Sequence, residues 1–250
     1  MLAHSRTGDG PPIVLLHGIG LDRAVWDPVV PLLARAHEVI AVDLPGFGAS
    51  EPLAGAPTVE ALAEAVEALG LDRPHVAGNS LGGGIALALG RRGWASSVCA
   101  ISPIGFAAGR ERAYARATLN AIHALARALD GHTNAAYAGT ARRTVLMSLV
   151  VSRPWNVPAP AAAHMNHTTA RGPGWHATLP EVTSWRPAMP ACPTTIAWAE
   201  KDRLLIAGRQ APRARRWLPE ARHVTLHGCG HVPMWDDPEQ VAHAIVDARP

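Results

Sequence analysis

The sequence predicts an α/β protein: a mostly parallel sheet with helices on both faces and an inserted block of helices. Two observations carry this prediction. Short runs that are wholly or largely apolar, such as 12–17 near the start and 194–199 near the end, alternate with helical patterns in both terminal parts of the chain. This alternation is typical of buried parallel strands joined by helical crossovers. Between 104 and 185 it stops, and the pattern is helical only, interrupted by glycine and proline.

Each element can be placed from its own pattern. Thr58 stands where a helix N-cap is expected, before a run with helical spacing. The strands are predicted at 12–17 and 39–42, in the run ending at Gly78, and at 97–102, 194–199 and 222–226. The helices are predicted around 24–35 and 58–69, after Ser80, near 209–217 and after Pro238.

These elements divide the chain into a core and an insertion. We expect residues 1–103 to form the first part of the α/β core and 186–250 the second part. Residues 104–185 are expected to form a helical cap, because a helical block between strands of one parallel sheet is best explained as an insertion. The whole chain has 250 residues, a length that fits one such domain.

Composition excludes several classes of protein. The net charge is only +3, and acidic residues alternate with arginine, so nucleic-acid binding is not expected. Three cysteines without paired spacing indicate neither a disulfide framework nor a zinc site. The N-terminus lacks the apolar segment of a signal peptide, and the longest apolar run is too short to span a membrane. We expect a cytoplasmic monomer or homodimer without metal, cofactor or membrane contact.

The stretch Gly78-Asn79-Ser80-Leu81-Gly82 is the strongest functional signal. It joins an apolar run to a helical one, which is the context of a nucleophile elbow, where a serine lies on a tight strand-to-helix turn. A glycine-rich loop whose serine only caps the helix would look similar. The pattern therefore needs support from other residues.

Asp202 and His231 provide that support. Each follows a predicted strand, and parallel strands end at one edge of the sheet. The order Ser80, Asp202, His231 is that of a nucleophile, an acid and a base in such a fold. Glu200 is the less favoured acid, because an alternating strand end turns it away. Cys229 is more simply explained as a small buried residue.

With these motifs, the chain resembles the capped, single-domain branch of the α/β-hydrolase superfamily. The resemblance covers nearly the whole chain outside the cap. It rests on the following residues: His17-Gly18 with Trp26, Asp43-Leu44-Pro45-Gly46-Phe47-Gly48 with Ser50, the elbow, Asp202, and Gly230-His231 with Asp236, Asp237 and Pro238. Only some eleven residues precede the first predicted strand. Since the family usually begins with two or more earlier strands, the sheet is expected to be shortened at its N-terminal edge.

The resemblance implies a serine hydrolase with an oxyanion hole formed by the backbone N–H groups of Ile19 and Leu81. It also implies that His17, Asp43 and Ser50 order loops and that Trp26 belongs to the core. Serine at the nucleophile position argues against an epoxide hydrolase or haloalkane dehalogenase.

The cap is expected to choose the substrate. Trp155, Trp175 and Met147 lie in it, and Val232 follows the predicted base; we expect these four residues to line an apolar pocket. The preferred activity is hydrolysis of a small, largely apolar carboxylic ester, lactone or thioester through an acyl-enzyme. A carbon–carbon bond hydrolase of vinylogous diketones is the alternative, because the elbow resembles that subgroup, although its Gly-Pro-Gly loop is absent. A low-turnover ligand receptor on the same fold is a third possibility.

Overall fold

A computed structural model describes residues 2–248, and a seven-stranded sheet lies at their centre. The strands are β1 (His4–Thr7), β2 (Pro12–Leu16), β3 (Glu38–Val42), β4 (His75–Asn79), β5 (Ser97–Ile101), β6 (Thr194–Ala199) and β7 (Arg222–Leu226). Their order in the sheet is β1-β3-β2-β4-β5-β6-β7. Strand β1 pairs antiparallel with β3, and the other neighbours are parallel. The mostly parallel sheet is confirmed.

Helices cover both faces of this sheet. They are α1 (Val30–Leu33), α2 (Val59–Glu67), α3 (Leu81–Arg91), α4 (Arg110–Leu129), α5 (Thr133–Ala138), α6 (Thr140–Met147), α7 (Ala159–Arg171), α8 (Trp175–Ser184), α9 (Ala207–Trp217) and α10 (Pro238–Val246). Short 3-10 helices lie at Arg23–Trp26, Pro154–Asn156 and Pro233–Trp235. None of the described helices has both the length and the apolar character needed to cross a membrane.

The core has two apolar layers, one on each face of the sheet. Successive residues of a strand point to opposite faces. Accordingly, Val14 and Leu16 of β2 pack in one layer, whereas Ile13 and Leu15 pack in the other. All four side chains are fully buried. A strand covered on both sides requires a continuous apolar run, which is why β2 could be recognised in the sequence.

The single helix expected around 24–35 is wrong. The segment forms a 3-10 helix, Arg23–Trp26, and a separate short helix, α1. Pro28 lies between the two, and because proline has no N–H it cannot donate the backbone hydrogen bond that a continuous helix needs at this position. Asp22 starts the 3-10 helix by accepting the N–H of Ala24.

Helices α4 to α8 lie between β5 and β6, and no strand occurs between these two within the described residues. We call residues 104–185 the helical insertion. The hydrogen bonds that attach its C-terminal part to the core include one at the start of α8 and one within this helix. The Glu181 carboxylate accepts the N–H of Val59 at 3.0 Å, and the N–H of Gly174 donates to the Gly46 carbonyl at 2.9 Å.

The N-terminus of α2 provides a stability test. Thr58 Oγ1 accepts the N–H of Ala61 at 3.1 Å, which satisfies a donor that has no partner within the helix. Thr58→Ala is expected to lower the free energy of unfolding by about 1 kcal/mol. Urea unfolding measures this change. The control Thr58→Ser keeps the acceptor and should stay close to wild type; equal stability of the alanine and serine variants would contradict the assignment.

Candidate active site

Ser80 occupies the turn between β4 and α3. Its backbone has φ 57° and ψ −114°, a conformation that residues other than glycine rarely adopt. The N–H of Ser80 donates to the Ile101 carbonyl at 2.9 Å, and its carbonyl accepts the N–H groups of Gly84 and Ile104 at 3.1 Å each. These three bonds fix the strained turn, as expected for a conformation imposed by its surroundings.

The glycines on either side of Ser80 are required by close backbone contacts. A Cβ on Gly78 would lie 2.1 Å from the carbonyl oxygen of Gly82. A Cβ on Gly82 would lie 2.2 Å from the carbonyl oxygen of Leu16. Neither position tolerates a side chain, since backbone atoms cannot move aside as a flexible side chain can. The glycine pattern is thus explained by the turn itself.

Asp202 and His231 are in direct contact. His231 Nδ1 lies 2.7 Å from Asp202 Oδ2, and both side chains are buried. The other carboxylate oxygen, Oδ1, accepts the N–H groups of Leu204 at 2.9 Å and Leu205 at 2.8 Å. With Nδ1 donating to the carboxylate, the second ring nitrogen of neutral His231 is free to accept a proton.

The surroundings of Asp202 keep its carboxylate ionised. Burial by itself would raise the pKa of Asp202, because it disfavours the charged form. The charge of His231 and the hydrogen bonds from His231, Leu205 and Leu204 outweigh burial and lower the pKa below its ordinary value. Asp202 therefore remains an acceptor at neutral pH.

Asn79 holds the backbone of His231. Its Nδ2 donates to the carbonyl of His231 at 2.9 Å and to that of Ile101 at 3.2 Å. Asn79 is fully buried and directly precedes Ser80. One side chain thus links the turn of Ser80 to the loop of His231. In the sequence, Asn79 stands out only as part of the elbow motif, because nothing there shows what its amide contacts.

Two backbone N–H groups lie beside Ser80. Leu81 is the first residue of α3, where N–H groups have no acceptor within the helix. A Cβ on Gly18 would lie 3.3 Å from Ser80 Cβ, so the chain leading into Ile19 passes next to the serine. Within residues 2–248, neither the N–H of Ile19 nor that of Leu81 donates to another protein group.

His17 and Asp43 order the surrounding loops. His17 Nε2 accepts the N–H of Leu44 at 2.9 Å, and its Nδ1 lies 2.7 Å from the Gly18 carbonyl. Burial lowers the pKa of His17, which favours the neutral ring that this bonding requires. Asp43 accepts the N–H groups of Arg23 at 2.8 Å and Ala49 at 2.9 Å. Neither His17 nor Asp43 lines the cavity described next.

An apolar cavity of about 340 Å³ extends from Ser80 and His231 into the helical insertion. No Asp, Glu, Lys or Arg occurs among the described residues that line it. Most of its insertion wall comes from α4, α6 and α7, including the apolar residues Leu119, Ile122, Leu125, Ala126, Val145, Leu146, Met147, Ala162 and Met165. Leu125 and Val145 are also 45% and 75% exposed, so the cavity reaches the surface between α4 and α6.

The four residues predicted for the pocket divide into two groups. Trp175, Met147 and Val232 are buried and line the cavity. The prediction for Trp155 is wrong: this side chain is 57% exposed and does not line the cavity. Trp155 lies in the 3-10 helix Pro154–Asn156, and none of the residues of this helix lines the cavity.

Neither Cys229, the alternative nucleophile, nor Glu200, the alternative acid, lines the cavity that Ser80 and His231 share. Burial raises the pKa of the Cys229 thiol to about 12, with the charges of Asp236 and Asp237 adding to the effect, so the nucleophilic thiolate does not form at neutral pH. Glu200 is exposed and accepts the N–H of Gly228 at 2.8 Å. Among the described residues, no group of three or more His, Cys, Asp or Glu is placed to hold a metal ion.

Tyr137, Asn166 and Thr169 contribute polar atoms to the cavity wall and were missed in the sequence. Tyr137 donates its hydroxyl to Asn166 Oδ1 at 3.0 Å, and Asn166 Nδ2 donates to the Ala126 carbonyl at 3.0 Å. Thr169 Oγ1 lies 2.8 Å from the Met165 carbonyl and 3.0 Å from the Gly20 carbonyl, which are the two acceptors for its hydroxyl. These three side chains therefore already make hydrogen bonds within the protein. The helical spacing of α4 predicts an apolar face, but it does not show that this face borders a cavity.

The chain is similar to hydrolases of several kinds. A pimeloyl-[acyl-carrier protein] methyl ester esterase of Aeromonas hydrophila is 51% identical over 83 residues, which are 32% of this chain and 32% of that protein. The solved structure of a thermophilic esterase from Thermogutta terrifontis is 24% identical, with a TM-score of 0.75, over 98% of this chain and 92% of the other. An enol-lactonase from Burkholderia xenovorans LB400 is 19% identical, with a TM-score of 0.76, over 99% and 95% of the two chains.

The matched segment spans about a third of the length of the Aeromonas esterase, and the two solved structures show the fold. The family model described as "Alpha/beta hydrolase family" matches residues 13–244, which include the elbow, Asp202 and His231. The chain therefore belongs to the α/β hydrolase family.

Proposed function

We propose that this protein is a serine hydrolase of neutral, largely apolar carboxylic esters that acts through an acyl-enzyme on Ser80. One observation carries the proposal: His231 is bonded to the buried Asp202 carboxylate and shares an apolar cavity with Ser80. A nucleophile, a base and a group that orients the base are the parts that such a reaction requires. The esterase names among the relatives agree with this reaction class.

In the proposed reaction, Ser80 Oγ attacks the ester carbonyl carbon while His231 takes the hydroxyl proton. Asp202 holds Nδ1–H of His231 and stabilises the imidazolium that forms. The negative charge on the carbonyl oxygen is stabilised by the N–H group of Leu81, at the positive end of α3, and by that of Ile19. His231 then gives its proton to the leaving alcohol. Water, deprotonated by His231, attacks the acyl-enzyme, and Ser80 recovers its proton as the carboxylic acid leaves.

The uncharged lining of the cavity supports the proposal that the acyl group of the substrate is neutral. A carboxylate or ammonium on the acyl chain would be buried without an opposite charge, which is unfavourable. The polar side chains in the wall already bond to protein groups, as described for Tyr137, Asn166 and Thr169. A panel of esters graded by acyl length, run beside lactones and vinylogous diketones, separates ester hydrolysis from the carbon–carbon alternative.

Ser80→Ala tests the nucleophile. A fluorophosphonate probe is expected to add one label to the wild-type protein, located at Ser80 by mass spectrometry, because the probe reacts with an activated serine. The variant should lose both the label and ester hydrolysis while keeping its melting temperature. Undiminished labelling of Ser80→Ala would show that the nucleophile is elsewhere.

Asp202→Asn tests the orientation of the base. The amide is able to donate where the carboxylate only accepts, so it favours the imidazole tautomer that cannot take the Ser80 proton. We expect kcat to fall on the order of 10³–10⁴-fold, with the fold retained in circular dichroism. Glu200→Gln is the matched control, since Glu200 is exposed and near in sequence. A larger loss in the control would reverse the assignment.

Val145→Asp tests the path of the acyl chain. Val145 is 75% exposed and lines the cavity where it reaches the surface. A charge there should lower kcat/KM for p-nitrophenyl decanoate by roughly tenfold, about the worth of one apolar contact. Hydrolysis of p-nitrophenyl acetate should be unchanged. Trp155→Asp is the control, because Trp155 is another exposed apolar residue of the insertion but lies outside the cavity. Equal effects in the two variants would exclude this path.

A further inference from the structure

Asp236 joins the loop of His231 to the helical insertion. Its side chain is 2% exposed. Oδ2 accepts the N–H of Gly230 at 2.7 Å and that of Ser152 at 3.1 Å. Oδ1 accepts the N–H of Arg153. One buried carboxylate thus receives three backbone N–H groups, one from the residue before His231 and two from the insertion.

The two backbone segments also touch directly. The N–H of Val232 donates to the Val150 carbonyl at 2.8 Å. A Cβ on Gly230 would lie 2.9 Å from the Ser152 nitrogen and 3.0 Å from the Val150 oxygen. The chain around His231 therefore lies flat against the segment 150–153. Val150 and Val232 also line the cavity, so the same contact forms part of the substrate wall.

We propose that Asp236 is a positioning residue that sets the location of His231 relative to Ser80. This inference rests on the proposed function, in which His231 is the base. On one side, Asn79 Nδ2 holds the His231 carbonyl at 2.9 Å. On the other side, Asp236 holds the N–H of Gly230. With the backbone held at both points, the imidazole is kept in contact with Asp202 and at the cavity that Ser80 also lines. A shift of about 1 Å at such a group lowers a rate on the order of 10²-fold.

The neighbouring residue Asp237 has the same side chain as Asp236 but different hydrogen-bond partners, so the two residues can be compared. Asp237 is the N-cap of α10 and accepts the N–H of Gln240 at 3.0 Å. It is partly exposed, makes its hydrogen bonds within its own helix terminus, and lies 4.0 Å from Arg153 Nη1 as its one contact with the insertion among the described ion pairs. Asp237→Asn is therefore the matched control: the same chemical change, one residue away, without a contact to Gly230.

The experiment compares Asp236→Asn, Asp236→Glu and Asp237→Asn. Asparagine has the shape of aspartate but only one accepting oxygen, so its NH₂ must face at least one of the three N–H donors. Glutamate keeps both oxygens but is longer. Because it keeps both acceptors, glutamate should retain more activity than asparagine. Because it is longer and displaces the loop of His231, it should retain less activity than wild type.

The readouts are kcat and KM for an activated ester, the rate of fluorophosphonate labelling at Ser80, and the low-field proton NMR signal of Nδ1–H in the His231–Asp202 bond. For Asp236→Asn we expect kcat and the labelling rate to fall on the order of 10²-fold, KM to change little, and the low-field signal to broaden or shift. Asp237→Asn should leave all of these unchanged and only lower the melting temperature.

The inference is overturned if Asp236→Asn, assayed well below its melting temperature, keeps wild-type kcat and the wild-type NMR signal. If Asp236→Asn does not fold, Asp236→Glu decides: reduced kcat with a displaced signal supports the inference, and unchanged values overturn it. Failure of the proposed function looks different. In that case Ser80→Ala keeps its activity, whatever the Asp236 variants do.

Discussion

The fold around the site depends on the approach of two backbones at Gly78 and Gly82. Because these positions lack side chains, β4 turns into α3 within one residue, and Ser80 adopts a left-handed backbone conformation. Such a conformation costs on the order of 1–3 kcal/mol and persists only where neighbours enforce it. The neighbours here are Ile101, the residue that ends β5, and the Leu16 carbonyl at the end of β2. The middle of the sheet thus bears the strain of the turn.

The same sheet edge gathers the remaining groups of the candidate site. Ile19 follows β2, Ser80 follows β4, Asp202 follows β6 and His231 follows β7. In a parallel sheet the carboxyl ends of the strands meet at one edge, which makes residues far apart in sequence neighbours in space. The helical insertion begins after β5, at this same edge of the sheet. The insertion can therefore supply the cavity wall and also contact the loop of His231.

Strands such as β2 and β3 were predictable because burial on both faces leaves an apolar run. Strand β1 was not placed, because its sequence is polar and mostly exposed. Ser80, Asp202 and His231 could be selected as candidates from the sequence because their chemistry and chain order are constrained by the fold. The residues that form the cavity wall could not be predicted from the sequence. Trp155 and Trp175 lie in the same insertion, yet Trp175 is buried and Trp155 is exposed, and this difference arises from tertiary packing alone. Likewise, Asp236 and Asp237 are identical side chains side by side, and only the three-dimensional structure shows which one holds Gly230.

The absence of charged side chains from the described lining also bears on how the cavity empties. In the proposed reaction, hydrolysis turns a neutral ester into a carboxylic acid, which ionises at neutral pH. No arginine or lysine among the described lining residues is present to pair with the new anion, and an unpaired charge in an apolar cavity is unstable. The opening between α4 and α6 offers it a route to water. In such a cavity the reaction itself expels its acid product, so accumulated acid would inhibit further turnover only weakly.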